Sequence, residues 1–323
     1  MKKRRLSTVL SLCMVLSLLP ARVLAQELTH LSHAGWQDAL PQSVAVQSIG
    51  PNEVEVVNDL YEKMTAQVSV ITLINDIELN GALRIDYAVT IDLNGHVLKM
   101  ANDASGSVIM VGDKGHLTII DSDPTAEHKF TPNADGLWVL DETNGTKTVK
   151  GGVIYGGTGT EMYYSTYGGG VLIEDGCQLT MTGGSIVGCK ADGAGGGVVV
   201  QCGDANGIFT MNGGAIIGCV ADSGGGVETD GGGVGEYGQF IMNGGVIDSC
   251  VATGRTGGGG VRSDGLFIMG KDATIKNCKA VENGQLNFGS GIVLAGDDLQ
   301  TINGTIISED AVDGKYIFVS NGT

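Results

Sequence analysis

Residues 195–221 read GGGVVVQCGDANGIFTMNGGAIIGCVA, and three pieces of this stretch recur through the middle of the chain. The opening piece, Gly195-Gly196-Gly197-Val198, returns at Gly168 to Val171, Gly224 to Val227 and Gly258 to Val261, and more weakly as Gly289-Ser290-Gly291-Ile292. The central piece, Phe209-Thr210-Met211, returns as Leu179-Thr180-Met181, Phe240-Ile241-Met242 and Phe267-Ile268-Met269. The closing piece is the strictest. Ile-x-x-Cys-x-Ala occurs at Ile186/Cys189/Ala191, Ile216/Cys219/Ala221, Ile247/Cys250/Ala252 and Ile275/Cys278/Ala280.

The opening pieces lie 27, 29, 34 and 31 residues apart. Within a unit, apolar residues alternate with Thr or Ile, which is the strand period of two, and no sustained 3.6-residue period is present. Three short apolar runs separated by Gly-rich turns fit one rung of a stacked solenoid, in which added length goes into turns. A propeller blade needs four strands and about 40 residues, so these units are too short for one. Weaker copies extend upstream through Val70 to Ile74, Val89 to His96, Leu117 to Asp121 and Gly151 to Gly157, with Gly157 at the Cys position. Downstream, Gly304 to Glu309 places Glu309 there. The reading is an all-β, single-stranded, right-handed parallel β-helix over residues 67–323, with three short strands per rung. Roughly nine rungs would span about 43 Å. A short N-terminal capping helix is expected over residues 53–66, with Asn52 and Glu55 as a capping box and Val54, Val57, Tyr61 and Met64 on its apolar side. No matching cap is read before Thr323.

Composition supports this. Of 323 residues, 54 are Gly and five Pro, with 42% hydrophobic and only 5% aromatic. That Gly content without a Gly-X-Y period excludes collagen, and the apolar content excludes plain disorder. Residues 1–25 read as a signal peptide, with a basic Lys2 to Arg5 segment, an apolar run from Leu6 to Leu19 and a Val23-Leu24-Ala25 cleavage site. Residues 26–52 read as an irregular lead-in. The run is too short for a confident membrane span, no later stretch supplies one, and an extracellular location is expected. No LPxTG-type sorting signal precedes Thr323. Loss of residues 1–25 takes the net charge from −17 to −22. Such a surface repels phosphate backbones, so nucleic acid is excluded as a partner.

Six Cys follow the signal peptide. Equivalent Cys on adjacent rungs have parallel Cβ vectors, whereas a disulfide needs its Cβ atoms about 3.8 Å apart. Cys189, Cys219, Cys250 and Cys278 are therefore expected to form a structural ladder of buried thiols. Cys177 and Cys202, at other rung offsets, could pair across turns. A column of thiols does not make a tetrahedron, so no metal site is expected, and no cofactor fingerprint occurs. His30 and His33 are read as solvent-exposed. Asp297-Asp298 and the Asp-Gly pairs at Asp175, Asp230 and Asp264 are read as turns. No constellation of catalytic residues is found. Glu161 with Tyr155, Tyr163, Tyr164 and Tyr167 falls in a Gly/Thr/Ser-rich insertion, and this loop is the candidate ligand-binding segment, since exposed Tyr faces stack on sugar rings or proteins.

The turn Val89-Thr90-Ile91-Asp92-Leu93-Asn94-Gly95-His96 resembles one common in pectin-lyase-like β-helix proteins. The GGGV and FTMNGGAI segments resemble repeats of bacterial surface proteins and adhesins of that fold. Phe209 to Ile216 is similar to the FxxN and GGA-[ILV] tetrapeptides of polymorphic membrane proteins, with FxxN again at Phe240 to Asn243. The resemblance covers roughly residues 65–320. With the general crossover rule, it implies the right hand. It also implies a noncatalytic, secreted, adhesin-like module that contacts glycans or host or microbial surface proteins. The alternatives are a polysaccharide lyase or glycoside hydrolase and an inert mechanical stalk. The oligomeric state stays open.

Overall fold

The computed structural model describes residues 50–162, 164–201, 203, 205–229, 238–282, 284–286, 289–295, 301–307 and 316–319. The chain from Pro51 forms a parallel β-solenoid of about seven turns, fewer than the nine read from sequence. Residues 127–150 leave the coil as an antiparallel insertion and add no rung. The first face stacks strands such as His116–Ile120, Gln178–Met181 and Ile208–Met211. The second stacks Val97–Met100, Val153–Tyr155, Ser185–Val187 and Ala215–Ile217. The third runs through eight strands from Leu83–Ile85 to Ile317–Val319. In two rungs, the continuous strands Gln239–Asp248 and Leu266–Lys276 carry the chain through the first face and into the second.

The repeat registers as the sequence pattern requires. Phe209 pairs with Phe240 and Phe240 with Phe267, while Met211, Met242 and Met269 form the neighbouring column. The Phe rings stack at 4.8 and 5.2 Å between centroids, so rung spacing and ring stacking coincide. All these residues are buried, and the core is one continuous column of aliphatic, Met, Phe and Cys side chains. The middle rungs carry more than three strands. In three of the four Cys motifs the x-Ala end forms a short fourth strand: Val220–Ala221, Val251–Ala252 and Lys279–Glu282 pair in parallel, and Lys190 bridges to Val220. At the Asp92-Leu93-Asn94-Gly95 turn, Asn94 and Gly95 take positive φ. Asp121 accepts from the N–H groups of Gly95 and Gly152, joining successive turns.

The N-terminal cap differs from its expectation. Glu53–Val54 is extended and pairs with Thr72 and Leu73, and the helix, α1, spans Val57–Thr65. Val56 occupies the N-cap position and no side chain caps the end. The Asn52 and Val54 carbonyls accept from Thr72 N–H at 2.8 Å and Ile74 N–H at 2.9 Å, so sheet pairing holds residues 52–54 extended and the helix starts later. Leu60 is the buried residue of α1, whereas Tyr61 is exposed. Among the described residues no helix is long and apolar enough to cross a membrane.

Candidate functional site

The insertion leaves the coil after His116–Ile120 as a three-stranded flap: Glu127–Pro132 lies between Trp138–Leu140 and Lys147–Lys150. It lies on the outside of the second face. Phe130, Trp138 and Val149 of the flap pack with Val97, Val153 and Val187 of the rungs. Trp138 N–H donates to the Gly218 carbonyl at 3.0 Å. A Cβ at Gly218 would collide with the indole, and one at Gly188 with the Trp138 backbone. The buried His128 ring joins the Gly95 carbonyl through Nε2 and Glu142 through Nδ1, both at 2.9 Å. The flap is thereby fixed to the turn below it.

One sequence change marks where the flap ends. The residue before each ladder Cys has positive φ throughout: Gly188, Gly218, Ser249 and Asn277. Under Trp138 it is Gly. On the next two rungs, beyond the indole, polar side chains return. There a groove of about 900 Å³ opens between the flap and the solenoid flank. Trp138, 8% exposed, and Val220, Val251 and Val281 supply its apolar surface, while Asn133, Asp135, Lys147, Ser249, Thr253 and Asn277 supply polar groups. The polar wall is ordered by Asp248, which accepts from Ser249 Oγ and Asn277 Nδ2 at 2.9 Å each and pairs with Lys276 at 3.2 Å. Asn133 Oδ1 accepts from the N–H groups of Asp135 and Leu137, holding the rim loop, and Gly136 of that loop faces Val251. Small apolar edges of Trp138, Val220, Val251 and Val281 beside a few fixed donors and acceptors make a groove that can take a polar ligand.

The structure splits the Tyr segment. Tyr155 belongs to a second-face strand and not to a loop. Its ring packs edge-on to Phe130 beneath the flap, and its Oη accepts from Leu140 N–H at 3.1 Å. Burial raises its phenol above the ordinary value. Glu161, Tyr164 and Tyr167 lie on a hairpin of Thr160–Met162 and Ser165–Tyr167 against the outside of the third face. Met162 and Tyr167 pack on Leu172, Ala194 and Val199. Glu161 is exposed, and Tyr164, at the tip with φ +75°, is fully exposed. The hairpin therefore offers Tyr164 and Glu161 to solvent, away from the flap. Tyr163, Cys202, Asp230, Asp297, Asp298 and Glu309, like the signal peptide, His30, His33 and nearly all of the lead-in, lie outside the described residues.

The ladder Cys are buried free thiols, as is Cys177. Burial raises Cys189 and Cys250 well above the ordinary thiol value. Among the described residues no three His, Cys, Asp or Glu side chains converge as a metal site. Arg84 pairs with Asp113, Arg255 with Glu282 and Arg262 with Asp264, each within 3.0 Å. The groove itself escaped the sequence reading. Its signals were present: a long interval without rung elements around Trp138, and the change from Gly to Ser249 and Asn277 before the ladder Cys. Comparison with family models, curated proteins and solved structures finds no match for this chain.

Proposed function

We propose that this protein is a noncatalytic binding module that acts outside the cell, and that it takes a polar ligand, a glycan chain or a polar surface segment of a protein, into the groove beside the flap. The observation that carries this reading is the groove itself: edges of Trp138, Val220, Val251 and Val281 lie beside side-chain amide, hydroxyl and ammonium groups. A sugar ring presents an apolar face and a rim of hydroxyls, so such a site satisfies both halves. Rungs stacked on either side give the groove a rigid base, and loops and insertions on a rigid scaffold are where binding residues concentrate. The pectin-lyase-like and adhesin resemblance of the repeats points the same way, and the apolar run of residues 1–25 supports export.

A glycan array read with the wild-type protein, with Asn277→Ala/Lys147→Ala and with Tyr164→Ala tests it. Retention of a glycan class, weakened at least roughly tenfold by the groove variant and unchanged by the hairpin variant, is expected. Loss confined to Tyr164→Ala would move the site to the hairpin. Binding to no glycan and to no surface-protein extract would leave the stalk reading. Unsaturated or reducing-end products from a polysaccharide panel would overturn the noncatalytic assignment.

A further inference from the structure

We propose that the column Cys189, Cys219, Cys250 and Cys278 binds soft d10 metal ions, each held in line between the thiolates of two successive rungs. The four sulfurs occupy equivalent positions. Each lies 3.2 to 3.5 Å from the carbonyl oxygen two residues earlier, on Val187, Ile217, Asp248 and Lys276. Each also lies 3.7 to 4.0 Å from the carbonyl of the preceding rung's Ile, on Ile154, Ile186, Ile216 and Ile247. Hydrogen bonds from Val220 to Cys189, Val251 to Cys219 and Lys279 to Cys250 fix the rungs at these residues. Identical side-chain placement on hydrogen-bonded rungs sets successive sulfurs one strand spacing apart, about 4.8 Å. Two metal–sulfur bonds of about 2.3 Å laid end to end span nearly the same distance.

The column cannot surround zinc, which takes four donors as a tetrahedron. It suits ions that accept two thiolates in line, such as copper(I), silver(I) and mercury(II), and soft sulfur donors select such ions over calcium or magnesium. Two thiols and one mercury(II) ion give one neutral S–Hg–S bridge and release two protons, so no net charge is left in the apolar core. Silver(I) or copper(I) gives the same bridge with one negative charge. The end of the column at Cys278 lies nearest to solvent. Cys278, 2% exposed, is the one ladder residue that lines the groove, and Cys189, Cys219 and Cys250 are fully buried. Beyond Cys278 the column ends at Tyr316, whose Oη accepts from Cys278 N–H at 3.1 Å. The inference is independent of what the groove binds.

Two double variants separate a bridging site from ordinary thiol reactivity. Cys189→Ala/Cys278→Ala leaves the adjacent pair Cys219 and Cys250. Cys219→Ala/Cys278→Ala leaves Cys189 and Cys250, two rungs apart. Both keep two column thiols and the same Cys13, Cys177 and Cys202 background. Reduced full-length protein is titrated anaerobically with mercury(II) chloride against a small competing thiol, and the metal's shell is read by X-ray absorption. Wild type and the adjacent-pair variant are expected to retain mercury with two sulfurs in its shell. Their affinity should exceed that of the alternate-pair variant by roughly 10²–10⁴, the gain of placing a second donor at fixed distance. Equal affinity in the two variants, or a shell with one sulfur, would overturn the proposal. Should either variant fail to fold, the wild type decides. Mercury bound in the folded state and raising the thermal midpoint supports the column, and uptake only after unfolding refutes it.

Discussion

A Cβ placed on Gly197 would stand 2.6 Å from the Gly226 carbonyl of the next rung and 2.6 Å from Ile216 Cγ2 of its own, with Cys219 Sγ at 3.5 Å. Gly170 and Gly260 meet the corresponding Ile and Cys, Ile186 with Cys189 and Ile275 with Cys278, and Gly226 meets Ile247. This contact links the first and third pieces of the repeat. The third Gly of each triplet is the hole into which Ile and Cys of the same rung pack, so GGGV and IxxC recur together. The first Gly of each triplet has a different reason: Gly195 and its counterparts hold φ between +56° and +76°, where a side chain is strained. Gly197→Ala is therefore expected to destabilise the protein by about 1–3 kcal/mol through overpacking. Gly81, with no atom near its missing Cβ, is the control. Gly81→Ala should be neutral or raise stability by up to about 1 kcal/mol through the unfolded chain. Urea denaturation of both variants checks the pair, and equal effects would refute the packing argument.

The elements differ in how openly the sequence announces them. Rung strands were legible because a column of like residues is itself a repeat: Phe209, Phe240 and Phe267 could be aligned before their stacking was known. The Gly151 to Gly157 copy was legible on the same ground, and Val153 and Ile154 do pair with Ser185 and Ile186. The start of α1 departs from its local signal because capping at Asn52 competes with strand pairing to Thr72, a partner invisible to local rules. The flap, and with it the groove, was missed because its strands pair only among themselves and pack through single residues, Phe130, Trp138 and Val149, that have no counterpart in other rungs. Tyr155 reads as loop because its neighbours Gly156 to Gly159 look like one, whereas the flap buries its ring. Two expectations belong to this scale. Trp138→Ala removes the indole lying on Gly218 and should cost about 3–5 kcal/mol, as other buried large-to-Ala changes do. It should also open residues 127–150 to protease cleavage, measured by limited proteolysis and mass spectrometry. Tyr164→Ala touches only solvent, so its thermal midpoint should match the wild type, and a marked loss would show that the hairpin tip carries structure.

For the molecule as a whole, a stack of rungs gains stability from each neighbour, so groups repeated down its axis act together on one unfolding transition. The buried thiols of Cys177, Cys189 and Cys250 are such groups. Burial raises Cys189, Cys250 and Cys177, and burial also raises the phenols of Tyr155 and Tyr316. In the unfolded chain the thiols ionise near pH ~8.5 and the phenols near pH ~10. Below about pH 8 both states hold these protons and the full contribution to stability is present. Above it the unfolded state loses protons that the folded state keeps, so stability falls as pH rises, by about 1.4 kcal/mol per pH unit for each such group. The acidic chain, at −17 before any thiol ionises, adds self-repulsion in the same direction. Under reducing, anaerobic conditions the urea midpoint should hold steady from pH 7 to about 8 and decline steeply from about 8.5 to 10.5. Cys189→Ala/Cys250→Ala should start lower at pH 7, because two core side chains are cut back, yet decline less steeply. Equal slopes in the two proteins would mean that Cys189 and Cys250 already ionise while folded, and a core able to hold those two thiolates would have to be more polar than this stack of Ile, Met, Phe and Gly.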